Sequence, residues 1–393
     1  MTVGFALRHA AWLIAWLLAC VPALASSGDK LPEDGDGAKE LTLPAEFHPG
    51  GGGFQIGEAP FRLRLLAYTQ AQVNVHDNAI ERDAARDFSV RRARVNFLAD
   101  FYEDFEFFLE LDGAPEQRTA MVEARLNWQL VDEAVQLRAG KFTSQFSTEN
   151  ARSSRDIDTI ERFLALNSMF LLPALDTQFG VMLHGRPQGA PYSYSLGLYN
   201  GNSSANANVR DDNESKEVQA KLTWHWSEQL DTSIALNRSR EREQDLQLVD
   251  AGFNSFVSVP VDGNREGLGA DLHWHSGPWS LRAEGMYFRF NGREQQPARL
   301  RGAFIQPAWF IQGDSHGGTE LLLRLETAHL DGETGPAGDR LDALTAGVNW
   351  FVNPNVRLQT NLITTRFNGD SPEQDFSGSR IRPSLLSQLQ FKF

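Results

Sequence analysis

One cysteine occurs in the 393-residue chain, Cys20, and it lies within the apolar run "AAWLIAWLLAC" at residues 10–20. Arg8 precedes that run and "ALA" at residues 23–25 follows it, so residues 1–25 are expected to be a secretory signal cleaved before Ser26. A chain cut there carries no thiol, which excludes disulfides and a cysteine metal site. Long apolar runs are scarce too. The signal's run is too short to span a bilayer as a helix, and no later segment is long and apolar enough, so a helical membrane protein is excluded. Positive charge is in deficit: the net charge of −14 repels phosphate backbones and excludes nucleic acid as a partner. "RRAR" at residues 91–94 is too short to be a basic tail. No serine nucleophile elbow and no zincin histidine pair is expected, and His273 and His275 around Trp274 read as polar wall positions. No catalytic residue, metal or cofactor is therefore assigned.

What the chain does have is alternation. Residues 26–60, rich in Gly, Pro, Asp and Glu, are expected to be a flexible leader. From Phe61 onward the pattern has period two. In "FSVRRARVNFLADF", Ala93, Val95, Phe97 and Ala99 share one face, with Arg92, Arg94, Asn96 and Asp100 on the other. "EVQAKLTWHW" sets Val218, Ala220, Leu222, Trp224 and Trp226 against Glu217, Gln219, Lys221, Thr223 and His225. A soluble sandwich alternates as well. Its strands, however, usually run ~5–6 residues, whereas several here approach the ~10 that a tilted strand needs to cross a bilayer. Trp128, Trp224, Trp226, Trp274 and Trp350 end the apolar faces, as in an interfacial girdle.

The connections separate the two folds. Those near Tyr102, Val131, Ser227 and Ser276, and at residues 353–355, are short, while residues 200–216, 240–265, 330–340 and 367–380 form longer polar links. Short periplasmic turns alternating with long outer loops mark a transmembrane barrel. The expected fold is all-β: an antiparallel transmembrane barrel of about 16 strands over residues 61–393.

Four fragments, in order and spacing, resemble the phosphate-selective porin O and P family of Gram-negative outer membranes. They are "FSVRRARVNF" followed by "DFEFFLELD"; "LRAGKFTSQFSTENARSSRDIDTIER"; "FGVMLHG" followed by "YSLGLYNG"; and "AGVNWFVNPNVRLQTN". The chain also closes on Phe393, a terminal aromatic typical of barrels handed to the outer-membrane assembly machinery, which is thus an expected partner. The resemblance implies a homotrimer in outer-membrane lipid, with small inorganic anions such as phosphate or polyphosphate diffusing passively through a water-filled channel. It also implies that the third long connection, residues 142–176, folds into the lumen as a constriction.

Physical reasoning supports such a device. A 16-strand barrel leaves an aqueous lumen, and a charged narrowing between low-dielectric walls sets ion preference. "ARSSRDIDTIER" supplies polar groups for the lumen, and "FLALNSMFLLPAL" supplies apolar ones to pack on the wall. Arg152, Arg155 and Arg162 are the candidate anion contacts, since a guanidinium fork matches phosphate, with Ser153 and Ser154 as hydroxyl donors. The resemblance implies a serine pair with basic residues on both sides. Ser153, Ser154 and Arg162 fit it, but Asn150 and Ala151 stand just ahead where no lysine is found. Two roles are open to Asp156, Asp158 and Glu161: orienting the arginines by pairing, or cancelling their field. Arg62, Arg64, Arg92, Arg94, Arg125 and Arg138 are expected on the lumen wall, with Arg92 and Arg94 opposite Asp112 and Glu110. The alternative is a general or weakly cation-selective porin without a phosphate site.

Overall fold

The computed structural model describes residues 45–48, 52–77, 84–114, 119–172, 175–202, 215–291, 297–332, 338–369 and 381–393. The expected signal and most of the expected leader lie outside the described residues. The leader's described part is a correction to the sequence reading. It forms two short paired strands, β1 (Ala45–His48) and β2 (Gly53–Ile56), rather than a flexible tail.

The barrel strands follow. They are β3 (Phe61–Asp77), β4 (Ala84–Phe101), β5 (Phe105–Asp112), β6 (Ala120–Val131) and β7 (Val135–Thr143). Two helices come next, α1 (Thr148–Ala151) and α2 (Leu164–Leu171). The wall resumes with β8 (Thr177–Gly185), β9 (Tyr192–Tyr199), β10 (Glu217–Ser227), β11 (Leu230–Val249) and β12 (Ser255–Ser276). It finishes with β13 (Trp279–Asn291), β14 (Ala298–Asp314), β15 (Gly317–Asp331), β16 (Asp339–Asn353), β17 (Val356–Asn368) and β18 (Ile381–Lys392). Each strand from β3 pairs antiparallel with its successor, and β18 pairs with β3, closing a 16-strand barrel. Where β18 ends, β2 takes its place beside β3, with Phe54 opposite Leu65 and Ile56 opposite Leu63. Phe393 exchanges both backbone hydrogen bonds with Ala67. Its ring lies 5.9 Å from that of Phe54.

Solvation explains why these sequences choose this shape. Leu236, Leu323, Leu325, Leu362 and Leu389 are exposed on the outside, while Arg265, Gln359, Asn349 and Gln388 are buried on the inside. Water would reverse that order, and a bilayer around the wall produces it. Backbone closure is the companion requirement, since no strand edge is tolerated in lipid. Aromatics gather at the end with short connections, where the Trp279 and Trp309 rings stack at 5.0 Å and Phe105 stacks on Trp128 at 5.5 Å.

One expectation changes. Residues 240–265 are not a long polar link: β11 and β12 run on through them, and only residues 250–254 connect the two. A bulge after Glu241 lets the tip bury Leu246, Leu248, Phe256, Val257, Val259 and Val261. The wall also carries aromatics on its inner side. Phe288, Phe290, Phe304 and Phe367 are buried in the same apolar cluster as those tip residues and α2.

Candidate permeation site

The third long connection, residues 144–176, is held by wall side chains rather than by its own secondary structure. Ser147 caps α1, its side chain accepting from the Asn150 N–H at 3.0 Å. Glu149, buried, pairs with Arg324 of β15 and accepts from the Phe163 N–H at 2.9 Å. Glu326 of β15 accepts the first amide of α2, Leu164 N–H, at 2.9 Å, satisfying a donor that a helix start leaves open. Leu164, Ala165, Leu166 and Met169 are all buried in the apolar cluster, so the helix is covered around most of its circumference rather than along one face. This is the packing expected of the "FLALNSMFLLPAL" segment.

Between the helices, polar wall residues grip the backbone. Gln70 of β3 donates to the Ser154 carbonyl at 3.1 Å. Arg357 of β17 donates to the carbonyls of Arg155 at 2.8 Å and Ile157 at 3.1 Å. Asn349 of β16 and Gln359 of β17 reach the Asp158 carbonyl at 2.9 and 3.1 Å, and Asn361 accepts from the Ile160 N–H at 2.8 Å. A buried carbonyl without a partner costs ~1–3 kcal/mol, so these contacts fix the segment's path.

Asp158 is the electrostatic hub. Its carboxylate accepts from Arg152 at 2.9 Å, from Arg282 of β13 at 3.0 Å and from Gln306 of β14 at 3.0 Å. Burial alone would raise its pKa, but the charges of Arg152, Arg282 and Arg357, with the hydrogen bond from Arg152, hold it well below the ordinary carboxylate value. Burial likewise opposes the charge on Arg152, and Asp158 outweighs it, raising the Arg152 pKa. Glu161 follows the same logic: burial pushes its pKa up, and Arg91, its hydrogen bonds and Arg92 bring it below normal.

The sequence-predicted residues divide into two groups. Arg152, Ser153, Ser154, Arg155 and Arg162 line one cavity of about 1030 Å³ together with Arg64, Arg92, Arg94, Arg125 and Arg138. Glu110, Asp112 and Glu161 line it too, whereas Arg62, Asp156 and Asp158 do not. Arg62 pairs instead with Asp100 at 2.7 Å. Asp156 lies 3.3 Å from Arg155 and 3.7 Å from Lys392. Arg162 turns its guanidinium to the carbonyls of Arg152, Glu149 and Asn150, at 3.0 to 3.4 Å, and its burial lowers its pKa. Ser154 is buried and its hydroxyl accepts from Arg162 at 3.4 Å, while the Ser153 hydroxyl accepts from the Arg155 N–H at 3.5 Å.

The wall register also differs from expectation. Arg94 faces Asp112, not Glu110, though it bonds both, at 2.8 and 2.6 Å. Arg92 lies beyond that pairing and donates to Gln70 at 3.0 Å. Arg125 pairs with Glu106 at 2.7 Å, and Arg138 meets the neutral Asn127 at 3.3 Å. Period-two reading misses Arg91, which strict alternation turns to lipid. The pairing of β4 with β3 skips it, from Gln70–Arg92 to Ala71–Val90, and this bulge re-aims Arg91 into the cavity. A GxSxG spacing, not expected, does occur at residues 313–317, but it closes the β14–β15 hairpin, where no helix follows to make a nucleophile elbow.

A closed barrel with an apolar exterior, a polar interior and a charged internal cavity is a membrane channel of the porin class. The particular family follows from its sequence: the model of "Phosphate-selective porin O and P" matches residues 65–393, and this chain belongs to that family, in the Gram-negative outer membrane. Among solved structures, an anion-selective porin from Comamonas acidovorans is similar, at 9% identity and TM-score 0.64, over 85% of this chain and all of that one, 100%. The outer membrane protein OmpT of Vibrio cholerae, in a trimer form, matches at 8% identity and TM-score 0.63, over 85% of this chain and 99% of that one. The outer membrane channel DcaP of Acinetobacter baumannii matches at 11% identity and TM-score 0.59, over 87% and 99%. At these identities the likeness is one of fold. A comparison with curated proteins gives no match.

Proposed function

We propose that this porin passes small anions, phosphate and polyphosphate among them, by passive diffusion along the cavity beside the third long connection. In this reading the connection lies within the lumen and narrows it. The grip of β3, β13, β14, β16 and β17 side chains on residues 154–160 supports that placement. One observation carries the charge preference: nine arginines and five carboxylates line the cavity. Asp158, the most strongly neutralised carboxylate of the connection, is turned away from it toward Arg282 and Gln306. Each uncompensated charge favours a nearby anion by ~1–3 kcal/mol, depending on how much water intervenes. Guanidinium forks on opposite sides of a passage offer a phosphate bidentate contacts.

A second reading keeps the channel and drops the phosphate site. Its support is local: Arg152 is engaged by Asp158, Arg155 by Asp156, and Arg162 by backbone carbonyls. Phosphate block separates the two. In planar bilayers with chloride as carrier, added phosphate reduces single-channel current if the arginines form a site; unchanged current assigns a general anion pore. We also propose the homotrimer, which the trimer form of the Vibrio relative supports. Cleavage of residues 1–25 and assembly through Phe393 complete the proposal.

A further inference from the structure

The lipid-facing side of the wall carries a second, separate set of arginines. They sit at the end of the barrel with long connections, across from the tryptophan girdle. The strand register lines them up. Arg238, Glu266, Arg289, Arg299 and Asp331 are directly opposed in sequence across β11 to β15. Just below, Arg301, His329 and Arg340 are opposed across β14 to β16, and Asp342 opposes Arg366 on β17. All of these arginines are exposed on the outward face. Arg301 and Arg340 are balanced, by Asp331 at 2.6 Å and Asp342 at 2.5 Å. Arg289, Arg299 and Arg366 make no ion pair among the described residues, and Arg289 stands directly across from Arg299. Like charges so opposed destabilise a sheet, so this face calls for an anion from outside the chain.

Height in the membrane identifies that anion. From Trp309 to Arg299 along β14 the chain advances ~33 Å, or ~25 Å after a ~40° tilt, the height of the apolar band of such barrels. The belt is therefore at the opposite interface from the tryptophans, where outer-leaflet headgroups lie. It is also one-sided: among the described residues, the outward faces of β5 to β10 carry no arginine. Beneath it is a depression of about 600 Å³ lined by Ala303, Ile305, Leu325, Thr327 and Leu344, with Arg366 at its rim. Cations above an apolar groove match an amphiphile with an anionic head and hydrocarbon chains.

We propose that this belt binds a phosphorylated glycolipid of the outer leaflet, its phosphates on Arg289, Arg299 and Arg366 and acyl chain in the groove below. The chemistry is that of guanidinium and phosphate, and the pore arginines take no part. The test uses the full purified channel, with retained lipid measured by native mass spectrometry. Three probes are compared: a bisphosphorylated acylated disaccharide, the same lipid without phosphates, and inorganic phosphate. Wild type is expected to bind the bisphosphorylated form about tenfold more tightly than the dephosphorylated one, with no displacement by inorganic phosphate. Arg289→Gln, Arg299→Gln and Arg366→Gln together are expected to abolish that difference while single-channel conductance is unchanged. Equal binding of both lipids to wild type, an undiminished difference in the variant, or displacement by inorganic phosphate would overturn the proposal. If the triple variant does not fold, the two-lipid comparison on wild type decides alone. The reversal potential of the pore is independent of all three outcomes, so the ion-selectivity reading stands or falls separately.

Discussion

Arg91 on β4 and Glu161 in the third long connection form a two-pronged ion pair, Nε to Oε1 at 2.8 Å and Nη2 to Oε2 at 3.1 Å. The β4 bulge makes the pair possible, and it sits in the wall of the arginine-rich cavity. Glu161→Gln removes one of that cavity's carboxylates while keeping a hydrogen-bonding side chain. The anion-to-cation permeability ratio is expected to rise several-fold, in keeping with ~1 kcal/mol per charge in a water-filled passage. Bi-ionic potentials of the variant and wild type check this, and a ratio that falls would contradict it.

Asp158→Asn unpairs Arg152 and Arg282 at once. Removing one member of a well-shielded pair costs ~3–5 kcal/mol when fully buried; here, with side chains about a fifth exposed, ~1–3 kcal/mol of local anchoring is expected. The sign is a looser connection. Increased open-channel noise and new protease cleavage between residues 153 and 163 are the readouts. A variant as quiet and resistant as wild type would show that the backbone contacts suffice.

Acid acts through the same two carboxylates. Asp158 and Glu161 have folded pKa values below their unfolded ones. The stability they contribute is therefore complete above the unfolded value of about 4 and lost only as pH falls through the lower folded values. Loosening that comes from Asp158 and Glu161 is expected only below about pH 4, as a distinct rise in the noise of this connection. A noise rise centred well above about pH 5 would implicate other groups.

Arg94 and Arg138 line the same cavity yet are expected to behave oppositely. Arg94→Ala strands Glu110 and Asp112, both buried, and a lost partner there costs ~3–5 kcal/mol. Arg138→Ala leaves neutral partners behind, Asn127 and the Phe142 ring. The heat-induced transition of the folded barrel on gels is expected to drop for Arg94→Ala, whereas Arg138→Ala chiefly lowers anion preference.

Gly302 of β14 lets α2 approach the wall closely. A Cβ there would lie 2.3 Å from the Ala165 Cβ, so any side chain displaces the helix. Gly302→Val is expected to cost ~1–3 kcal/mol by overpacking and to alter single-channel conductance from across the barrel. Unaltered conductance would mean that α2 does not shape the passage.

The barrel was legible because a bilayer imposes one rule on every strand. Leu321, Leu323 and Leu325 against Arg324 and Glu326 can be read without knowing any contact. The site was legible only in part. Ser154 and Arg162 were found as polar groups of one segment, but that Arg162 turns back on the carbonyls of that segment depends on its folded path. Arg91 was lost because a single unpaired residue reverses the face, and nothing local in "RRAR" announces a bulge. Residues 240–265 misled for a related reason: strand β12 keeps its pairing past the bilayer, where polar outward residues no longer mark a loop. Phe288, Phe290 and Phe304 escaped because an apolar residue on the polar face makes sense only once α2 is there to meet it.

The zero-current potential of the purified channel in a planar bilayer across a potassium chloride gradient tests the central claim most directly. The arginine-lined cavity predicts a potential on the chloride side of zero, moved toward zero by Arg92→Gln combined with Arg138→Gln. A potassium-directed potential in the wild-type channel would contradict it and would mean that other parts of the passage set its selectivity.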